Sequence, residues 1–192
     1  MRQMRLFSLQ SSDVWNTLKT EGVYRALKSK AEFLKEPDDF QIFGKAYEYI
    51  TDIMLLKGID KPLHYDFEKN TPIWAWFVHN GKNFVDLRME TRVNKPGSVC
   101  IELEIPDDKV LLSGYEIWHM PLNNGYISDD FWTDCESLEN ITRSQAEIEN
   151  SWIKCFEPEF LKHESFIQAT FFEMKLKWVK NVRFFGSKKI KK

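Results

Sequence analysis

The alternation of side chains along Ser98-Val-Cys-Ile-Glu-Leu-Glu-Ile105 constrains this chain more than any other feature. Successive strand residues point to opposite faces, so Glu102 and Glu104 must face away from Ile101, Leu103 and Ile105. Pro72-Ile-Trp-Ala-Trp-Phe-Val-His79 alternates in the same way and puts Trp74 and Trp76 on one face. Asn80-Gly81 follows as a hairpin turn signal, and it predicts a return strand over Phe84-Val-Asp-Leu87. Hairpin signals of this kind favour antiparallel pairing.

Other segments carry signals for helices and strands in between. Arg5 to Leu9 reads as an opening strand, with Ser11-Ser12-Asp13 offering capping oxygens for a helix through about Thr20 that Gly22 ends. Val14, Trp15 and Leu18 fall on one face of it, and Val23-Tyr24-Arg25 re-enters extended structure. Lys28 to Asp39 is charged, contains Pro37 and predicts a surface loop or broken helix. Phe43, Tyr47, Ile50, Ile53 and Met54 recur at helical spacing within Phe40 to Leu56, before Gly58. A turn is expected at Asn94 to Gly97. Pro106-Asp107-Asp108 closes the alternating strand ahead of a further strand at Val110 to Leu112, and Asn123-Asn124-Gly125 marks a turn. Ser144 and Glu147 form a capping box for a helix through about Phe156, with Ile148, Trp152 and Phe156 on one face. Phe166 to Met174 and Leu176 to Phe185 read as one long strand or two joined ones. The expectation is a single α+β domain over residues 1–186, a mostly antiparallel sheet with about three to five helices, and a basic flexible tail over 187–192.

A chain of 192 residues with 43% hydrophobic and 15% aromatic content can bury a sizeable core. Its net charge of −2 conceals segregation: residues 102–159 carry fourteen acids against three bases, and residues 160–192 carry nine bases against two acids. Such blocks make faces of opposite sign or fold one region back on the other. Cys100, Cys135 and Cys155 are odd in number and lack paired spacing, which fits free thiols in a reducing cytoplasm. The N-terminus has no apolar signal-peptide core, and no run of eighteen apolar residues could span a membrane.

Motifs for phosphate loops, dinucleotide-binding folds, metalloproteases, nucleophile elbows and zinc sites are absent. His64, His79, His119 and His163 are scattered without ligand spacing, so no metal is expected. The stretch Lys109 to Asn124 is richest in chemistry, because Ser113, Tyr115, Trp118, His119 and Asn123 set hydrogen-bonding groups beside large aromatics. A pocket for a planar or hydroxylated ligand needs that mixture, although Tyr and Trp also fill cores. Trp118 and Met120 are expected to surround His119 with apolar bulk.

The segments Met4 to Gln10, Val14-Trp15, Gly22 to Arg25, Ala46-Tyr47, Pro72 to Trp76, Pro106 to Ser113, Trp118-His119, Leu122-Asn123, Ser151-Trp152, Phe156 and Ile167 to Thr170 resemble a bacterial family catalogued as a domain of unknown function numbered 3841. The resemblance runs from about residue 4 to residue 185 and implies a small single-domain protein without an assigned activity. An Asp-Phe pair is expected after Leu-Leu-Ser in that family, and Gly114-Tyr115 stands here instead. If the acid carries chemistry in relatives, this chain has lost it.

A thinner resemblance is to the ADP-ribosyltransferase superfamily, whose small members open with a strand, a helix and a Gly-containing turn and place a catalytic Glu on a late strand. Leu6 to Gln10, the Val14 to Leu18 helix and Gly22 to Arg25 are similar to that opening, and Glu173 follows Gln168 on a late strand. By this resemblance Glu173 would be catalytic on NAD through its grip on a ribose hydroxyl, and His119 is the second catalytic candidate on its own account. The superfamily's usual His is missing from the first strand, which holds Ser8 and Gln10.

Three functions therefore stand side by side. The first is recognition of a small nucleotide-like or anionic ligand around Ser113, Tyr115, Trp118, His119 and Asn123, with Tyr47, Trp74, Trp76, Gln10 and Gln168 nearby and Arg5 or Arg25 on phosphate. The second is NAD-consuming transfer; only there is a cofactor implied. The third is a protein-interaction module driven by segregated charge. Lys175, Lys177, Lys180 and Arg183, interleaved with Trp178, Phe184 and Phe185, could contact phosphates, but the net charge disfavours extended nucleic acid.

Overall fold

The computed structural model describes residues 2–31, 37–87, 97–133 and 142–185. Along them run β1 (Gln3–Ser11), α1 (Ser12–Glu21), β2 (Val23–Tyr24), β3 (Ala26–Leu27), α2 (Pro37–Leu56), β4 (Asn70–Thr71), β5 (Ile73–Val78), β6 (Ser98–Pro106), β7 (Leu111–Gly114), α3 (Tyr115–Leu122), α4 (Gln145–Ser151), α5 (Pro158–Leu161), β8 (Ile167–Phe171), β9 (Met174–Lys175) and β10 (Val179–Phe184). Six strands form one antiparallel sheet in the order β10-β6-β1-β5-β8-β7, and β2 pairs with β9 and β3 with β4 in two short ribbons. The class is α+β, as the interspersed signals imply.

Alternation decides the two faces of this sheet. Leu6, Ile101, Leu103, Ile105, Ile73, Ala75, Ala169 and Phe171 are buried together on one face, where α1 covers them with Leu18 and Trp15. Gly22 ends α1 in the left-handed region, φ 75°, which an L side chain adopts only with strain. On the other face α2 supplies Ala46, Ile50, Ile53 and Met54, and α3 supplies Ile117 and Trp118, against Leu111 and the Trp152 to Phe156 turn. A third cluster, Phe7, Trp76, Val85 and Cys100, covers the rest of that face.

The charge segregation is used internally. The basic strand β10 folds back to pair with the acidic strand β6, and Lys180 Nζ meets Glu104 Oε2 at 2.7 Å. Cys100 and Cys155 are buried, while Cys135 lies outside the described residues, as do Asn94 to Pro96 and the tail from Gly186. Among the described residues no helix is long and apolar enough to cross a membrane.

Several expectations need correction. Asn80 and Gly81 do turn, with φ 51° and 70°, but the return strand over Phe84 to Leu87 does not form; His79 and Lys82 make one bridge. Both edges of β5 are occupied, by β1 and β8, so no hydrogen-bonding edge is left for it. The second helix starts at Pro37 rather than Phe40, because proline suits the first helical turn, where its missing N–H costs nothing. The capping box at Ser144 and Glu147 forms, yet α4 ends at Ser151 and tightens into a 3₁₀ turn through Phe156. The C-terminal aromatic stretch divides: β8 sits between β5 and β7, and β10 occupies the far edge.

Gly114 has a structural role that its sequence neighbours conceal. It is the N-cap of α3 and brings no capping side chain. The carboxylate of Glu164 does so from a distance, accepting from the backbone N–H of Glu116 at 3.2 Å and of Ile117 at 2.9 Å. A Cβ at position 114 would lie 2.7 Å from Glu164 Cγ and 2.8 Å from Cδ. Glycine is therefore what admits the distant carboxylate. Burial pushes the Glu164 carboxyl above its ordinary range, against the opposing pull of the two backbone donors.

Candidate functional site

The main sheet is not continuous at its middle. β1 and β6 keep register over nine pairs, from Gln3 with Pro106 to Ser11 with Ser98, whereas β1 and β5 register only where Phe7 faces Trp76. Towards Gln10 the two strands part. Pro72, immediately before β5, has no N–H to continue a ladder. Ser8 substitutes a side-chain bond, its Oγ donating to the Trp74 carbonyl at 2.9 Å, and Gln10 Nε2 donates to Ser8 Oγ at 2.8 Å.

A cavity of about 240 Å³ occupies this wedge. Phe7, Leu9 and Gln10 line it from β1, and Ile73 to Trp76 line it from β5. Tyr24, Ala26, Lys30 and Thr71 come from the small ribbons and the turn after β3, Tyr47 from α2 and Gln168 from β8. Register explains the far wall, since Trp76 faces Gln168 across β5 and β8, and Gln168 faces Ser113 across β8 and β7. The Trp74 ring meets Tyr47 edge-on at 5.9 Å and lies tilted against Trp118 at 5.5 Å. Burial pushes the Tyr24 hydroxyl pKa above its ordinary value.

Three residues of the lining also carry polar atoms that nothing in the chain satisfies. Trp74 Nε1, Thr71 Oγ1 and Gln168 Oε1 are buried and have no hydrogen-bond partner. Each such group costs about 1–3 kcal/mol if nothing reaches it. Together they provide one donor, one acceptor and one hydroxyl that can do either. None of the described lining residues is Asp or Glu, and Lys30 is the one cation among them.

The residues singled out in the sequence are divided by the fold. Gln10, Tyr47, Trp74, Trp76 and Gln168 come together around the cavity. Ser113 is fully buried on β7 beside Gln168, with its Oγ unpartnered, but does not line it. Trp118 is 3% exposed and packs into the helical core against Phe156. His119 stands exposed, not among apolar bulk, because it lies on the outer face of α3, where Nδ1 contacts the Tyr115 carbonyl at 2.9 Å. Tyr115 opens α3 and lies edge-on to Trp76 and to His119. Asn123 is exposed and closes α3, donating to the His119 carbonyl at 2.7 Å.

The charged candidates lie elsewhere. Arg5 is exposed, bonds Glu102 at 2.7 Å and rests over the Phe7 ring. Glu173 is clamped by Arg25 at 2.6 Å and Lys175 at 2.9 Å, and it lines a separate hollow of about 170 Å³ with Lys109 and Trp178. Sequence reasoning missed Thr71 and Lys30 as lining residues. Asn70-Thr71-Pro72 carries the only usable signal, a polar β-branched residue wedged against a ladder-breaking proline.

Fold and cavity together define an antiparallel α+β protein whose sheet parts between its two central strands. The family profile of the domain of unknown function DUF3841 matches residues 5–142, well over half of the chain, and the chain belongs to that family. The matched span contains every cavity residue except Gln168. No curated protein and no solved structure matches the chain.

Proposed function

We propose that the wedge between β1 and β5 is a binding site for a small nucleotide-like ligand, held without turnover. The observation that carries this reading is a cavity walled by Tyr24, Tyr47, Trp74 and Trp76, with buried polar atoms on its lining residues Trp74, Thr71 and Gln168 that have no partner within the chain. Aromatic faces suit a planar base, and adjacent donors and acceptors suit its hydrogen-bonding edge. Lys30 supplies a positive group for a phosphate.

Binding is favoured over transfer chemistry by the residue types. Gln10 and Gln168 can grip a ligand, but an amide does not ionise and cannot serve as acid or base. Stabilising an oxocarbenium charge needs a carboxylate, and among the described lining residues there is none; Glu173 is engaged by Arg25 and Lys175. A thermal-shift and calorimetric panel of nucleotides tests the proposal. A ligand at 100-fold over its dissociation constant raises stability by about 2.7 kcal/mol, and the gain should fall in Trp74→Phe and Gln168→Leu while the ligand stays chemically intact. A panel without any shift, or a ligand that is consumed, would overturn it.

A further inference from the structure

We infer that the ligand is a two-part molecule of the dinucleotide or sugar-nucleotide class, with its second sugar in a neighbouring hollow that shares a wall with the cavity. This rests on the nucleotide reading above and adds the ligand's extent and second subsite. The second hollow, about 230 Å³, lies against the same Tyr47, Thr71 and Pro72 that wall the first. Either hollow alone is smaller than the roughly 300 Å³ at which ligand pockets usually begin, whereas the pair falls inside that range.

The chemistry differs between the compartments in a way that suits the two ends of such a molecule. The first is aromatic and contains no described carboxylate; the second is lined by Glu48, Asp52 and Glu68. Carboxylates that receive vicinal hydroxyls are the usual way a protein holds a ribose. Glu48 and Asp52 stand four apart on α2 and so project from one face. Lys28 lines the second hollow and Lys30 the first, and both belong to one 3₁₀ turn, Lys28–Lys30, so that each hollow has a cation in its wall for a bridging phosphate.

Thr71 stands in the wall common to both hollows. It is 5% exposed, its Oγ1 has no partner, and it lines both hollows. Its neighbour Asn70 is hydrogen-bonded at both ends of its amide instead, accepting from the Asp66 N–H at 2.9 Å and donating to the Ala26 carbonyl at 3.2 Å. Thr71 therefore belongs to the wall between the two hollows, which the middle of a bipartite ligand would cross.

The test is calorimetry on the full chain with AMP, GMP and UMP against ADP-ribose, GDP-mannose and UDP-glucose. The linked ligand should bind at least tenfold tighter than the monophosphate of the same base. Glu48→Gln/Asp52→Asn, both exposed and close in shape to the originals, should remove that advantage and leave the monophosphate affinity unchanged, with an unaltered melting temperature as the folding control. Equal affinity for linked and unlinked nucleotides overturns the second subsite while the cavity reading stands. An advantage that survives the double substitution also overturns it. Binding of neither class overturns both.

Discussion

The exchange of a local helix cap for a distant one makes a sharp test of how this fold is held together. Gly114 starts α3 without a side chain, and the Glu164 carboxylate takes the two N–H groups that an Asp at position 114 would itself accept from. Removing the carboxylate with Glu164→Ala forfeits a cap worth about 1 kcal/mol, with more at stake because the bonds are charge-assisted; the relief of carboxylate burial offsets part of that. The net expectation is a loss of about 1–2 kcal/mol, or roughly 2–8 °C in a chain of this size.

Gly114→Asp alone should also destabilise, since its Cβ would overlap Glu164 and two carboxylates would compete for one pair of donors. Combined as Gly114→Asp/Glu164→Ala, the two changes should restore stability to within about 0.5 kcal/mol of the parent, because the backbone at 114 already has the extended N-cap conformation, φ −70° and ψ 136°. Urea denaturation of the four proteins gives the cycle. A coupling of about 1.5–3 kcal/mol is expected, and effects that add within about 0.5 kcal/mol would refute the reasoning.

Other consequences can be read from the same contacts. Because burial holds the Glu164 carboxyl above its ordinary value of 4.5, its contribution to stability is fully present below that pH and declines as pH rises through the raised value; the urea midpoint of Glu164→Gln should lack this decline. Glu173→Gln should lower stability by leaving Arg25 without its carboxylate in a mostly buried position, yet leave nucleotide affinity within about twofold, as comparison of melting and titration would show. Ser8→Ala removes the hydrogen bond that braces the parted strands, together with the Gln10 bond linked to it, at a cost of about 1–2 kcal/mol in denaturant unfolding. Ile101→Ala, on a fully buried side chain of β6, should cost about 2–5 kcal/mol by the same assay.

Local signals carried most of the architecture. Alternation placed β5 and β6, Gly22 and Gly58 ended helices as glycines with positive φ, and the capping box at Ser144 formed as read. The hairpin at Asn80-Gly81 failed for a non-local reason, since a turn cannot impose a strand when both neighbours of β5 are already taken. The lining of the candidate cavity was legible in part. Trp74, Trp76 and Gln168 share a face by a period of two and by cross-strand register, and the aromatic pattern suggested the former pair. Tyr115 to Asn123 drew attention because polar and aromatic types were adjacent in sequence, but helical geometry sends Trp118 into the core and His119 outward. Glu164 could not be connected with Gly114 from local spacing, because fifty residues separate them and only the closed fold brings them together.

The wedge itself is tested most directly by the indole N–H resonances in a nitrogen-15 correlation spectrum during titration with the tightest nucleotide. Seven tryptophans give seven indole signals, and Trp74→Phe assigns the one that matters. Trp74 Nε1–H, buried and without a partner in the free protein, should shift furthest as it gains an acceptor, with the core indole of Trp152, already bonded to the Gly125 carbonyl at 2.8 Å, unmoved. A saturating nucleotide that leaves the Trp74 signal in place would contradict binding between β1 and β5.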